Sequence, residues 1–226
     1  MSTLYKHPAQ KIYNDIAQNN SVYETEIEGI RVLINQHVYP SEKFRTTSFV
    51  LNQMRTKFQG KSVCDMGCGP GIVGLFAFLN GAKHIVCADI NPYAVENAKD
   101  NIKLNKYEAS QFEVFESDCF DAFPHRIFDV IVWNMPFHND DIDITDPLMR
   151  AFYDPKFTSI RKFLSQIPQF SHNETDIYIA FSTKGDVEQL QQLFSNYGFK
   201  WNLWKVTNSD QEYDNRLYHL TLRTSV

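Results

Sequence analysis

Cys64-Asp65-Met66-Gly67-Cys68-Gly69-Pro70-Gly71 joins a short run of strand formers, Ser62 to Met66, to an almost wholly apolar helical run, Ile72 to Asn80. Three glycines at alternate positions between a strand and a buried helix allow backbone N–H groups to approach a ligand with no Cβ in the way. Gly69-Pro70-Gly71-Ile72-Val73-Gly74 also fits the G-x-G-x-x-G spacing of a dinucleotide fingerprint. Asp89 ends the next predicted strand, His84 to Ala88, where a carboxylate meets ribose hydroxyls. The spacing alone leaves a nicotinamide cofactor and S-adenosylmethionine both open.

Outward from this turn, strand and helix signals alternate. Asn91-Pro92 opens a helix with Val95, Ala98 and Ile102 on one face. Strands are expected at Phe112 to Phe115, Phe128 to Trp133 and Asp176 to Phe181, and helices at Thr158 to Ile167 and Val187 to Tyr197. Alternation of this kind gives an α/β domain with a mostly parallel sheet and helices on both faces. Lys200 to Val206 and Leu217 to Thr224 pair as a terminal hairpin. The first forty residues read as a small helix-hairpin appendage: a helix from Pro8 to about Asn19, then Val22 to Ile27 and Ile30 to Ile34 joined at Glu28-Gly29. Residues 41–226 form the main domain, starting with a helix from Ser48 to about Phe58.

Three features separate the two cofactors. Asp65-Met-Gly67-Cys-Gly69-Pro-Gly71 resembles the D-x-G-x-G-x-G turn of class I, Rossmann-like, S-adenosylmethionine-dependent methyltransferases. The resemblance implies that the turn contacts the methionine moiety and ribose, and that Asp65 anchors the amino end. Ser117-Asp118 stands where that family contacts the adenine amino group. Asn134-Met135-Pro136-Phe137 resembles the N-P-P-Y/F signature of methyltransferases acting on planar nitrogens, namely glutamine amides and adenine or guanine amino groups. Such a nitrogen is a poor nucleophile because its lone pair is delocalised. The resemblance casts Asn134 and the carbonyl of residue 135 as acceptors for its two N–H groups, and Phe137 as the stacking surface. Met135 departs from the usual proline, which bears on substrate class. Tyr39 and Thr46, within Val38-Tyr39-Pro40-Ser41-Glu42 and Thr46-Thr47, loosely resemble a segment closing over the cofactor. The family also implies a seven-stranded sheet with one antiparallel strand, the last.

The expected cofactor-binding set is therefore Asp65, Gly67, Gly69, Gly71, Asp89, Asp118, Asn134, Tyr39 and Thr46, and the catalytic pair is Asn134 and Phe137. No metal site is expected, because Cys64, Cys68, Cys87 and Cys119 form no C-x-x-C pair and suit buried fillers in a reducing compartment. Net charge −5 lacks the excess of basic residues that phosphate binding uses. A small molecule or protein side chain is thus the leading acceptor, with a tRNA or rRNA amino group as the rival. A nicotinamide oxidoreductase explains the glycines but neither Asp65 nor Asn134 to Phe137. A silent binding module on the same fold need not keep Asn134. No apolar run reaches the ~20 residues of a membrane span, and the start lacks a signal peptide's apolar core, so a cytoplasmic protein is expected. Asp140, Asp141, Asp143 and Asp146 form a solvated acidic loop or, beside a pocket, a bias toward neutral or cationic acceptors.

Overall fold

The computed structural model describes residues 8–18, 21–207 and 213–222. Helix α1, Pro8–Gln18, precedes the antiparallel hairpin β1 (Tyr23–Ile27) and β2 (Ile30–Ile34), which turns at Glu28-Gly29 as the sequence predicts. Helix α2 covers Arg45–Met54 rather than 48–58. It starts early because the backbone is still extended at Phe44 and turns helical at once, with no polar side chain capping it. There follow β3 (Ser62–Met66), α3 (Ile72–Leu79), β4 (His84–Asp89), α4 (Pro92–Leu104), β5 (Phe112–Glu116), β6 (Phe128–Asn134), α5 (Thr158–Gln166), β7 (Ser171–Ser182), α6 (Val187–Asn196), β8 (Phe199–Val206) and β9 (Asn215–Leu222).

The seven-stranded sheet has the order β5-β4-β3-β6-β7-β9-β8. Strand β9 slots between β7 and β8 and is antiparallel to both, so the expected single antiparallel strand is the last one. Alternating side chains divide the core. Val63, Ile85, Cys87, Val130 and Val132 face one cluster with residues of α2, α3 and α4. Cys64, Val86, Ala88, Ile131 and Trp133 face the other, with residues of α5 and α6. A mostly parallel sheet must be covered on both faces, and it is. The hairpin joins the first cluster through Ile27, Ile30, Val32 and Ile34. Asn97 and Asn101 of α4, both fully buried, hold it by donating to the Leu33 carbonyl and accepting from Asn35 and Leu33 N–H.

The chain winds from β3 towards β5 on one side and from β6 towards β8 on the other. The switch between these directions lies at the carboxyl ends of β3 and β6, which is where such folds open a ligand crevice. Gly67 and Asn134 stand at those two ends.

Candidate active site

A cavity enclosing about 1270 Å³, including its solvent-filled mouth, opens at this switch point. Tyr39, Thr46, Asp65, Gly67, Gly69, Asp89, Asp118, Asn134 and Phe137 all line it. These nine come from six stretches of chain, so the structure brings together nearly the whole predicted set. Gly71 is the exception. A Cβ there would lie 3.0 Å from the Ala98 Cβ, so Gly71 serves the approach of α3 to α4 rather than the cavity.

The turn's glycines are required by backbone geometry. Gly67 and Gly69 have φ of +59° and +55°, the left-handed region where a side chain is strained. A Cβ on Gly67 would also sit 2.7 Å from the Trp133 Nε1, whereas nothing lies within 4 Å of one on Gly69. The turn is locked onto β4 by Asp89, whose Oδ2 accepts from the Gly69 N–H at 2.8 Å and Oδ1 from the Asn91 N–H at 2.9 Å. Burial raises the Asp89 carboxyl above its usual range although these hydrogen bonds pull it down. Each oxygen keeps acceptor capacity for a hydroxyl.

Asp65 lies deeper, 2% exposed. Its Oδ2 accepts from the Gly74 N–H at 2.9 Å, the only hydrogen bond it makes among the described residues. Burial pushes its carboxyl up to about 7, opposed by that N–H and aided by the charge of Asp89. Gly74 is what lets α3 lie this close: a Cβ there would stand 2.5 Å from the Cys87 Sγ.

Asp118 lines the cavity too, its Oδ2 2.6 Å from the Lys162 Nζ. Of the lid-like segment, Tyr39 stacks on Phe44 at 4.5 Å and meets Phe152 edge-on. The Thr46 hydroxyl donates to Asn215 at 3.0 Å. Its neighbour Thr47 also lines the cavity, with a buried hydroxyl that has no partner among the described residues. The pair Thr46-Thr47 is visible in the sequence, but which hydroxyl is free is decided only by where α2 begins.

Asn134 ends β6, half-buried, and its amide forms no hydrogen bond with any described residue. Buried Met135 keeps the chain in register, its N–H donating to the Ala180 carbonyl at 3.3 Å. Phe137 is half-buried against Phe181 and His138. Gly185, unmarked by the sequence reading, is needed here because a Cβ would collide with the Phe137 carbonyl oxygen. The acidic loop contributes Pro147, Arg150 and Ala151 to the cavity but none of its four aspartates: Asp141 pairs with Lys156 and Asp146 caps the turn at Leu148.

Residues 29–154 match the sequence pattern of the methyltransferase small domain. The chain belongs to that family. It is an S-adenosylmethionine-dependent methyltransferase, and among its relatives is a Methanocaldococcus jannaschii protein provisionally named a protein N5-glutamine methyltransferase. That protein is 34% identical over 181 residues, which are 77% of this chain and 87% of the relative. Ribosomal RNA large subunit methyltransferase G of Aliivibrio fischeri is 30% identical over 137 residues, 59% of this chain but only 36% of the relative. The fold matches that of a T. thermophilus 16S rRNA N2 methyltransferase solved with AdoMet and guanosine (TM-score 0.66, 18% identity, 90% of this chain and 50% of that one). Among the described residues no helix is long and apolar enough to cross a membrane.

The cavity's chemistry suits the family's cofactor. The buried Asp65 and the partly buried Asp89 offer carboxylates for an ammonium and ribose hydroxyls, and the vacant Cβ position of Gly69 lets the backbone come close.

Proposed function

We propose that this enzyme methylates a planar nitrogen, foremost the side-chain amide of a protein glutamine. One observation carries the reading. The Asn134 side-chain amide stands at the cavity wall beside Phe137 with no hydrogen-bond partner among the described residues, so both its oxygen and its nitrogen are free to meet a ligand in the cavity.

In this reading Asp65 holds the cofactor's ammonium, Gly67 and Gly69 its methionine chain, Asp89 its ribose and Asp118 its adenine. Tyr39 and the Thr46-Thr47 pair close the cavity from above. When bound, S-adenosylmethionine supplies a methyl group already activated on a sulfonium. Asn134 Oδ1 and the Met135 carbonyl accept the two N–H bonds of the incoming amide, and Phe137 lies against its plane. Holding both N–H groups aims the nitrogen's lone pair at the methyl carbon and favours loss of planarity. Catalysis is then mostly positioning, with no strong general base needed. As the N–C bond forms and the S–C bond breaks, one proton leaves the nitrogen for solvent.

A protein acceptor is favoured over RNA by the net charge of −5 and by the relative matched over 87% of its length. The buried free thiols Cys64, Cys68, Cys87 and Cys119 suit a reducing compartment, and we place the enzyme in the cytoplasm.

The test is to incubate the protein with methyl-labelled S-adenosylmethionine and fractionated cell extract, then locate the label by mass spectrometry. Label on a glutamine side-chain nitrogen is expected. Label on RNA would replace the protein acceptor with a base amino group, and label on oxygen would end the nitrogen assignment.

A further inference from the structure

The turn after β5 is closed by a serine hydroxyl and held from outside through two carboxylates. The buried Ser117 hydroxyl donates to the Cys119 carbonyl at 2.7 Å and accepts from the Ala122 N–H at 3.0 Å. That closes the turn with Cys119 at φ +55° and leaves Asp118 on the cavity wall. Helix α5 then grips the turn with two side chains one helical turn apart. Lys162 Nζ lies 2.6 Å from Asp118 Oδ2 and 2.6 Å from Asp121 Oδ2. Gln166 donates to Asp121 Oδ1 at 2.7 Å and accepts from the Phe120 N–H at 3.2 Å.

Lys162 itself does not line the cavity. Its ion pairs are partly exposed and so add little to stability. Their effect is on position. Without the ammonium, the like-charged Asp118 and Asp121 stand three residues apart on a tight turn, and Asp118, already 44% exposed at its side chain, relaxes toward water.

We infer that Lys162 is a positioning residue that aims the Asp118 carboxylate at the exocyclic amine of the cofactor's purine and thereby sets the preference for adenine. The inference rests on the proposed Asp118–adenine contact. With Oδ2 held by Lys162, Oδ1 is the oxygen left for the ligand, and the two contacts would share one carboxylate. A lysine reached from α5, far along the chain, is invisible to motif reading.

The experiment is calorimetric titration at pH 7.5 with S-adenosylhomocysteine and with its analogue carrying unsubstituted purine in place of adenine. The wild type should favour the adenine compound by about tenfold to a hundredfold, the range for a hydrogen bond to a charged group. Lys162→Met should narrow that to about threefold or less, by weakening the adenine compound while the purine analogue stays within about twofold. Lys162→Arg should restore most of the preference, and Asp118→Ala should match Lys162→Met. A preserved preference in Lys162→Met, with Asp118→Ala abolishing it, would overturn the positioning role alone. Equal weakening of both ligands by Lys162→Met would make the clamp merely structural. A wild type blind to the amine, or unchanged by Asp118→Ala, would remove the adenine contact itself.

Discussion

Replacing Asp65 by asparagine should make the cofactor-free enzyme more stable and useless. The carboxyl titrates at about 7 in the folded chain against an ordinary 3.8. At ~1.4 kcal/mol for each factor of ten, ionised Asp65 costs the fold up to ~4 kcal/mol at pH 8. The sign follows from proton counting. Between about pH 4 and pH 7 the folded state holds a proton that the unfolded state has released, so stability falls as pH rises through that window and levels off above it. Asparagine keeps an oxygen for the Gly74 N–H but carries no charge. Cofactor-free Asp65→Asn should therefore melt roughly 8–16 °C above the wild type at pH 8, with the gap closing toward pH 4. Its affinity for S-adenosylhomocysteine should be lost. In the wild type that affinity should climb up to about tenfold for each pH unit between 5.5 and 7, where the ligand's amino group stays protonated. Differential scanning calorimetry and titration across this pH range supply both curves. A wild-type melting temperature that is flat from pH 5 to 8, with no gain in Asp65→Asn, would refute the burial argument. Intact, pH-independent binding by the variant would separate Asp65 from the cofactor.

Saturating S-adenosylhomocysteine at ~100 times its dissociation constant should raise the melting temperature by roughly 5–10 °C, while NAD and NADP leave it unchanged; Asp89→Ala should remove most of the rise, since it frees the Gly69 turn and deletes the ribose acceptor. Gly74→Ala should destabilise by ~1–3 kcal/mol through its collision with the Cys87 Sγ, and Cys87→Ala in the same chain should recover part of the loss, as a double-mutant cycle in denaturant would show. Filter binding at physiological salt should detect no salt-sensitive association with bulk tRNA or duplex DNA; a steep salt dependence would move an RNA acceptor into first place.

Much of the fold is legible in the sequence because its local signals agree with its tertiary demands. The glycine turn, the wholly apolar α3, the Asn91-Pro92 start of α4 and Asn134 at the end of β6 each need their residue types locally. The elements that escape are those decided by distant partners. Strand β7 extends back to Ser171 through the polar stretch His172–Glu174, because Ser171 pairs with Phe128 across an irregularity in β6. The onset of α2 at Arg45 depends on an extended Phe44 stacked on Tyr39, a contact with no sequence period. Lys156 and Phe157 adopt left-handed conformations with no glycine to announce them, held where buried Asp154 accepts from the Ser159 and Ile160 N–H groups. At the site, Gly71 has the right spacing for a ligand contact but packs against Ala98, and Lys162 and Gly185 carry no motif at all.

Asn134 is the residue on which nitrogen methylation depends, and the most direct measurement is the single-turnover rate of methyl transfer by Asn134→Ala, with S-adenosylhomocysteine affinity measured in parallel. If the amide orients the acceptor nitrogen, the rate should fall by about 10²–10³, the loss expected when one preorganised hydrogen-bond partner leaves a transition state. Cofactor affinity should stay within about twofold. Transfer at the wild-type rate would contradict the account, because the unpaired Asn134 amide would then be scaffolding at the end of a strand.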